Sequence, residues 1–187
     1  MPVPPPPNAT QVYKGVRHEI WEWDQELYDG SHATFACLVR EDTVSIIPFL
    51  DAQTVLLIRE EQPGRGEPFF DVPGGCIDKN ETPTEAATRE LAEETGYQAV
   101  GLQLFRESRF TGMSRFVESV FLAKHPTNGI PQHLDPGERI TLVPTSWTDA
   151  VRMSLRGELR RRDVMLAILA MEFDPEARAI KERFLAS

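Results

Sequence analysis

Glu90, Glu93 and Glu94 stand close together in the middle of the chain. On a helix turning about 100° per residue, Glu93 lies about 60° to one side of Glu90 and Glu94 about 40° to the other, so the three share an arc near 100°. Like charges at this spacing cost an isolated helix a few tenths of a kcal/mol per pair. A cation among them offsets that cost. Hard cations such as Mg²⁺ favour carboxylate, carbonyl and water oxygens, and Pro73-Gly74-Gly75, closing a strand, can offer a backbone carbonyl with no Cβ in the way. An adjacent pair of glutamates alone is usually a solvated acidic face; the wider spacing decides for chemistry.

The elements that must position these residues are legible nearby. Thr82-Pro83-Thr84-Glu85 combines a capping box with proline at the first helical position, so a helix should run from Pro83 to a C-terminal cap at Gly96. Ala87 and Leu91 occupy the neighbouring arc and suit packing on a sheet. Before the helix come β-rich runs: residues 16–28 with Trp21 and Trp23, closing on a type I′ turn at Asp29-Gly30, then Ala33 to Val39, Thr43 to Leu50, Thr54 to Arg59 and Phe69 to Val72. After it, Val100 to Arg106 and Arg115 to Ala123 flank a turn at Thr111-Gly112, with a further strand at Ile140 to Val143. Helices are predicted from Ser146 towards Leu155, ended by Gly157, then over Leu159 to Met171 and Pro175 to Leu185. The pattern is α+β, with mixed or antiparallel sheets. The run Arg160-Arg161-Arg162 reads most simply as a solvated helix face.

Composition bounds the function. The 187 residues carry net charge −9 and 41% hydrophobic residues, which fits one globular domain. Twenty Lys and Arg against 29 Asp and Glu disfavour a sequence-independent nucleic-acid groove. No apolar stretch approaches the roughly 18–20 residues of a membrane span. The first eight residues, five of them proline, lack the regions of a secretory signal and read as a mobile polyproline-like tail. Cys37 and Cys76 form no disulfide framework, which favours a reducing, cytoplasmic setting. His18, His32, His125 and His133 show no metal spacing.

From Gly75 the chain reads Gly-x5-Glu81-x7-Arg89-Glu90-Leu91-x-Glu93-Glu94-x-Gly96-Tyr97. Seven such identities coincide by chance on the order of once in 10⁸ trials. The chain resembles the Nudix hydrolases, which cleave a diphosphate linked to another moiety. The resemblance implies a Nudix-type α/β/α sandwich with a mixed sheet, preceded by a small N-terminal antiparallel sheet. It implies Mg²⁺ or Mn²⁺ held by Glu90, Glu93, Glu94 and the Gly74 carbonyl, with Arg89 orienting a glutamate and Glu81 tying loop to helix. The expected organisation is a tail over 1–10, an N-terminal β region over 11–50 serving dimerisation and substrate recognition, and the hydrolase domain over 51–187.

A weaker likeness, over about residues 18–172, points to the ADP-ribose pyrophosphatase branch. It rests on Thr54 to Arg59, a glycine-containing loop, and Asp71-Val72-Pro73-Gly74-Gly75. The branch implies a homodimer and a late acidic loop, Leu134 to Glu138, supplying the general base or an extra metal ligand. Candidate substrate contacts are Trp21, Arg59, Arg109 and Gly112, with a core or dimer-interface role as the alternative for Trp21 and a plain surface charge as the alternative for Arg109. Glu138 is favoured over Asp135 because it is closer to the following strand. Tyr97 stands where the generic pattern has an aliphatic residue, a substitution familiar in this branch. Two departures from the branch keep other substrates open, since Phe110-Thr111-Gly112 lacks its proline and Arg59-Glu60-Glu61-Gln62 lacks its second arginine. The alternatives are a Nudix hydrolase of a dinucleotide, a coenzyme A derivative or a nucleoside triphosphate, and a non-catalytic nucleotide-binding module.

Overall fold

The computed structural model describes residues 3–124 and 126–187; His125 lies outside them. Along these residues run β1 (Thr10–Lys14), β2 (His18–Glu26), β3 (His32–Arg40), β4 (Thr43–Asp51), β5 (Thr54–Glu61), β6 (Phe69–Asp71), α1 (Pro83–Thr95), β7 (Tyr97–Gln98), β8 (Gly101–Thr111), β9 (Ser114–Lys124), β10 (Thr127–Asn128), β11 (Arg139–Ser146), α2 (Trp147–Arg156), α3 (Arg162–Phe173) and α4 (Pro175–Ala186). The main sheet has the order β1-β2-β3-β9-β4-β5-β11, with β6 on β5 and β8 on β9. It is mixed, because β9 pairs parallel with both β3 and β4 while the other pairings are antiparallel. A short β7–β10 ladder stands apart from it.

β4 and β9 show why two helical layers form. Successive strand side chains point to opposite faces, and both strands are apolar on both. Val44, Ile46, Phe121 and Ala123 pack against Ala86, Ala87 and Leu91 of α1. Ile47, Phe49, Val120 and Leu122 pack on the other side against α2, α3 and α4, through Trp147, Val164, Ile168, Met171 and Phe184. This is the α+β sandwich the sequence predicts.

β4 and β5 pair only near their shared turn, at Phe49↔Val55 and Asp51↔Thr54. Where they part, residues 73–76 take the vacated edge. Val44 N–H donates to Gly75 O at 2.9 Å and Ile46 N–H to Pro73 O at 2.8 Å. The loop leading to α1 is thereby fixed to the central strand. β4, grouped by the sequence reading with the N-terminal region, is central to this sheet.

Two local expectations are corrected. Gly30 alone is left-handed at the β2–β3 turn, with φ +82°. Asp29 is not, so a type I′ turn is excluded, and Leu27 N–H donates to Ser31 O across a longer loop. The helix expected from Leu159 begins instead at Arg162. Leu159 bridges in parallel to Phe70 and Arg160 N–H donates to Phe70 O at 3.0 Å, so this segment stays extended. In the N-terminal segment, Val3 is buried, Arg115 donates to Pro4 O at 2.7 Å and Asn8 donates to Asp24 O at 3.2 Å.

Candidate active site

α1 begins and ends by local chemistry. Thr82 and Glu85 form a reciprocal capping box and Gly96 closes the helix with φ +71°. A Cβ on Gly96 would meet the Ile130 carbonyl at 2.3 Å, so this position needs glycine both for its conformation and for the close approach of the next loop.

Arg89 organises the glutamate face. Its Nε and Nη2 grip Glu81 Oε1 and Oε2 at 2.9 Å each, Nη1 donates to Glu90 Oε1 at 2.8 Å and to Glu93 Oε2 at 3.1 Å, and Nη2 also reaches Cys76 O at 3.0 Å. The planar fork suits this bidentate grip, which lysine could not reproduce. The bonds to Glu81, aided by Glu90 and Glu93, raise the Arg89 pKa against the opposing effect of burial. The same bonds hold Glu81 below the usual carboxylate range.

Glu94 lies apart from this network. It is buried and accepts the Gly74 N–H at 2.9 Å. Burial pushes its pKa well above the ordinary value, against the pull of Arg161 and that N–H. Burial raises Glu90 likewise, with Arg89 opposing. Gly74, at φ +151°, has no room for a side chain: a Cβ would sit 2.2 Å from the Val44 carbonyl.

The loop carrying Asp135 and Glu138 is tied to the end of α1. His133 N–H donates to Glu93 O at 2.8 Å and Gln132 Nε2 to Glu94 O at 2.6 Å. A cavity of about 350 Å³ is therefore lined by Gly74, Glu90, Glu93, Glu94, Asp135 and Glu138, together with Arg17, Arg89 and His133. A second cavity of about 260 Å³ shares Gly74, Glu94 and Glu138 with it and adds Glu60, Glu118 and Arg161. Glu138 is partly buried, and burial raises its pKa; Asp135 is exposed.

The donors suit a hard divalent cation in kind, being carboxylates and a carbonyl, several of them desolvated. As they stand, no three acidic, histidine or cysteine side chains among the described residues converge closely enough to hold an ion. Arg89 and the Gly74 N–H already engage oxygens of Glu90, Glu93 and Glu94.

The remaining expected substrate residues do not line either cavity. Trp21 is half-buried in β2 and donates to Glu19 at 3.0 Å. Arg59 pairs with Glu61 at 3.2 Å, on the strand face opposite Glu60. Arg109 pairs with Glu107 at 3.2 Å, and Gly112 lies exposed in the β8–β9 turn.

The reading of Arg160 to Arg162 as a solvated helix face is overturned at Arg161. Its Nη2 donates to Gly74 O at 2.5 Å and its Nη1 to Ser45 Oγ at 3.1 Å, while Nε lies 3.5 Å from buried Asp71. Burial opposes its charge, and Asp71, Glu118, Glu94 and Glu60 more than compensate. Glu118 was missed as well. It is buried in β9 and accepts from Ser45 Oγ at 2.6 Å and Thr43 Oγ1 at 3.3 Å. Both carried a signal. Cations at a helix start oppose the helix dipole, and a glutamate inside an otherwise apolar strand needs partners.

A family model described as NUDIX domain matches residues 39–166. An ADP-ribose pyrophosphatase of Bacillus subtilis (strain 168) is 23% identical over 145 residues, 76% of this chain and 78% of that protein. An ADP-sugar pyrophosphatase of Mus musculus is 41% identical over 61 residues, 30% of this chain and 28% of that protein. A solved structure described as an ADP compounds hydrolase shares the fold, with TM-score 0.74 and 20% identity over 89% of this chain and 90% of that one.

Proposed function

The chain belongs to the Nudix family, and from that premise we propose that it is a divalent-cation-dependent pyrophosphatase acting on ADP-ribose or a related nucleoside diphosphate sugar. The observation that carries this reading is one cavity lined by Glu90, Glu93, Glu94, the Gly74 backbone and Glu138. The names of the two relatives support the substrate class.

Glu90, Glu93, Glu94 and the Gly74 carbonyl would hold Mg²⁺ or Mn²⁺. Bound there, such a cation would neutralise the diphosphate and make a nearby water more acidic. Arg89 orients Glu90 and Glu93 through one oxygen of each. Glu138 accepts the proton of the attacking water, and its raised pKa makes it a stronger acceptor once ionised. The new P–O bond forms from water, the bridging P–O bond breaks, and two monophosphates leave.

The N-terminal ribbon supports a homodimer. Val12, Tyr13 and Phe35 are exposed by about half, and Trp23 stacks obliquely on Phe35 at 5.9 Å. An apolar surface of this kind is suited to a second copy. A substrate contact at Trp21 then belongs to the ribbon or its partner, whereas Arg59 in β5 and Arg109 and Gly112 at the β8–β9 hairpin lie outside both the ribbon and the cavity. Among the described residues no helix is long and apolar enough to cross a membrane.

The decisive experiment is incubation with ADP-ribose, other nucleotide sugars, dinucleoside polyphosphates, coenzyme A and nucleoside triphosphates, with Mg²⁺, Mn²⁺ or EDTA. AMP and a sugar phosphate should appear with either metal and vanish with EDTA. Preference for a triphosphate or dinucleotide would replace the substrate; no turnover of any compound would end the enzymatic reading.

A further inference from the structure

Arg161 reaches the site from the layer opposite α1. It precedes α3 in an extended conformation, φ −88° and ψ 116°, and α3 packs with α2 and α4 on the far face of β4. The guanidinium meets the 73–76 loop where β4 and β5 diverge. It donates to Gly74 O at 2.5 Å, to Ser45 Oγ at 3.1 Å and to Val44 O at 3.4 Å, and faces Asp71 at 3.5 Å. Gly74 is thus held from both sides, its N–H by Glu94 and its carbonyl by Arg161.

That carbonyl is also one of the donors assigned to the divalent cation, so the inference rests on the proposed function. A carbonyl already engaged by a guanidinium is a weaker donor to a second cation. Two positive charges in a partly desolvated cavity also repel each other more strongly than they would in water.

We propose that Arg161 is a built-in counter-cation that competes with the divalent ion for the Gly74 carbonyl, so that it sets the cavity's metal affinity below what its carboxylates alone would give. Arg161 is a positioning residue here and touches no reacting atom. Its consequence is coupling: the negative charge of a bound diphosphate tips the balance towards the metal, so metal and substrate occupancy rise together.

The test is direct Mn²⁺ binding to the full chain without substrate, counted by the electron paramagnetic resonance of free Mn²⁺. Arg161→Met should bind Mn²⁺ at least tenfold more tightly than the unmutated protein. Arg161→Lys, which keeps the charge, should stay within about threefold of it. Unchanged or weaker binding by folded Arg161→Met overturns the proposal. If circular dichroism shows that this variant does not fold, Arg161→Met with Asp71→Asn, which removes the stranded carboxylate, carries the same expectation and the same refutation. Glu93→Gln should weaken binding. If the unmutated protein binds no Mn²⁺, or Glu90→Gln and Glu93→Gln leave its binding unchanged, the metal reading falls and takes the proposal with it; if Glu93→Gln weakens binding while Arg161→Met does not tighten it, the proposal alone fails.

Discussion

β4 and β1 share one sheet, yet their surroundings differ along their whole length. Seven consecutive residues of β4 are buried, held by β9 on one edge and by β5 and the 73–76 loop on the other. Every residue of β1 is exposed. Among the described residues the β1–β3 ribbon pairs with the rest of the sheet at Leu38↔Ser114 and Val39↔Arg115, with Leu38 N–H also donating to Met113 O. Chemistry needs groups held within a fraction of an ångström, and the proposed site lies where the loop-helix is anchored to β4. The ribbon offers half-exposed aromatic surface instead, which suits recognition and assembly. The proposed division of labour follows burial: reaction in the anchored half, recognition and association in the projecting half.

That division is broken most directly at Glu93. Glu93→Gln removes a charge from the cavity while leaving α1 capped and packed, so kcat should fall by about 10³-fold or more, with an unchanged circular dichroism spectrum. Activity within about tenfold of the unmutated enzyme would move the reaction elsewhere. Glu138→Gln should cost about 10²-fold, and Asp135→Asn only a few-fold. Because burial raises the Glu138 pKa, the acidic limb of the rate profile should lie above the ordinary carboxylate range, with activity rising with pH as Glu138 ionises; in Glu138→Gln that limb should flatten.

The ribbon's side of the comparison is tested by assembly. Phe35→Asp places a charge on the surface proposed to be covered by a second copy, and should weaken the dimer by about 10- to 100-fold in Kd. Light scattering should then show a species near the chain mass of 21.1 kDa at concentrations where the unmutated protein is a dimer, with kcat altered less than KM. A monomeric unmutated protein would remove assembly from the ribbon's role.

The same contrast explains what was legible in advance. The start and end of α1 are set by Thr82, Pro83, Glu85 and Gly96, all within the helix or beside it, so pattern alone finds them. The face of glutamates follows from helical geometry. Arg161 and Glu118 acquire their meaning from strands and loops distant in the chain, and no local spacing announces which carbonyl or hydroxyl they meet. The start of α3 was misplaced for the same reason: Leu159 and Arg160 exchange helical bonds for contacts with Phe70. The ribbon's β-rich runs were readable, but whether Trp21 touches substrate depends on what covers it. Arg59 and Arg109, chosen by resemblance, are engaged by Glu61 and Glu107 in their own strands.

The smallest expected effect concerns stability rather than rate, and it separates the buried glutamate from the exposed ribbon. Glu94 has its pKa raised in the folded protein by burial, so the native state holds that proton more tightly than the unfolded chain. Stability is then greatest below the ordinary carboxylate pKa and declines as pH rises through the raised one. Gln at this position can still accept the Gly74 N–H but cannot ionise. In metal-free protein, Glu94→Gln should match or fall slightly below the unmutated Tm at pH 4.5 and exceed it at pH 8, by about 2–4 °C for each kcal/mol removed. Mg²⁺ should narrow the gap at pH 8 by stabilising the protein that retains Glu94 more than the variant. A Tm difference that does not change with pH would mean that the Glu94 carboxylate is not strained by its burial, and the acidic face of α1 would then need no cation to relieve it.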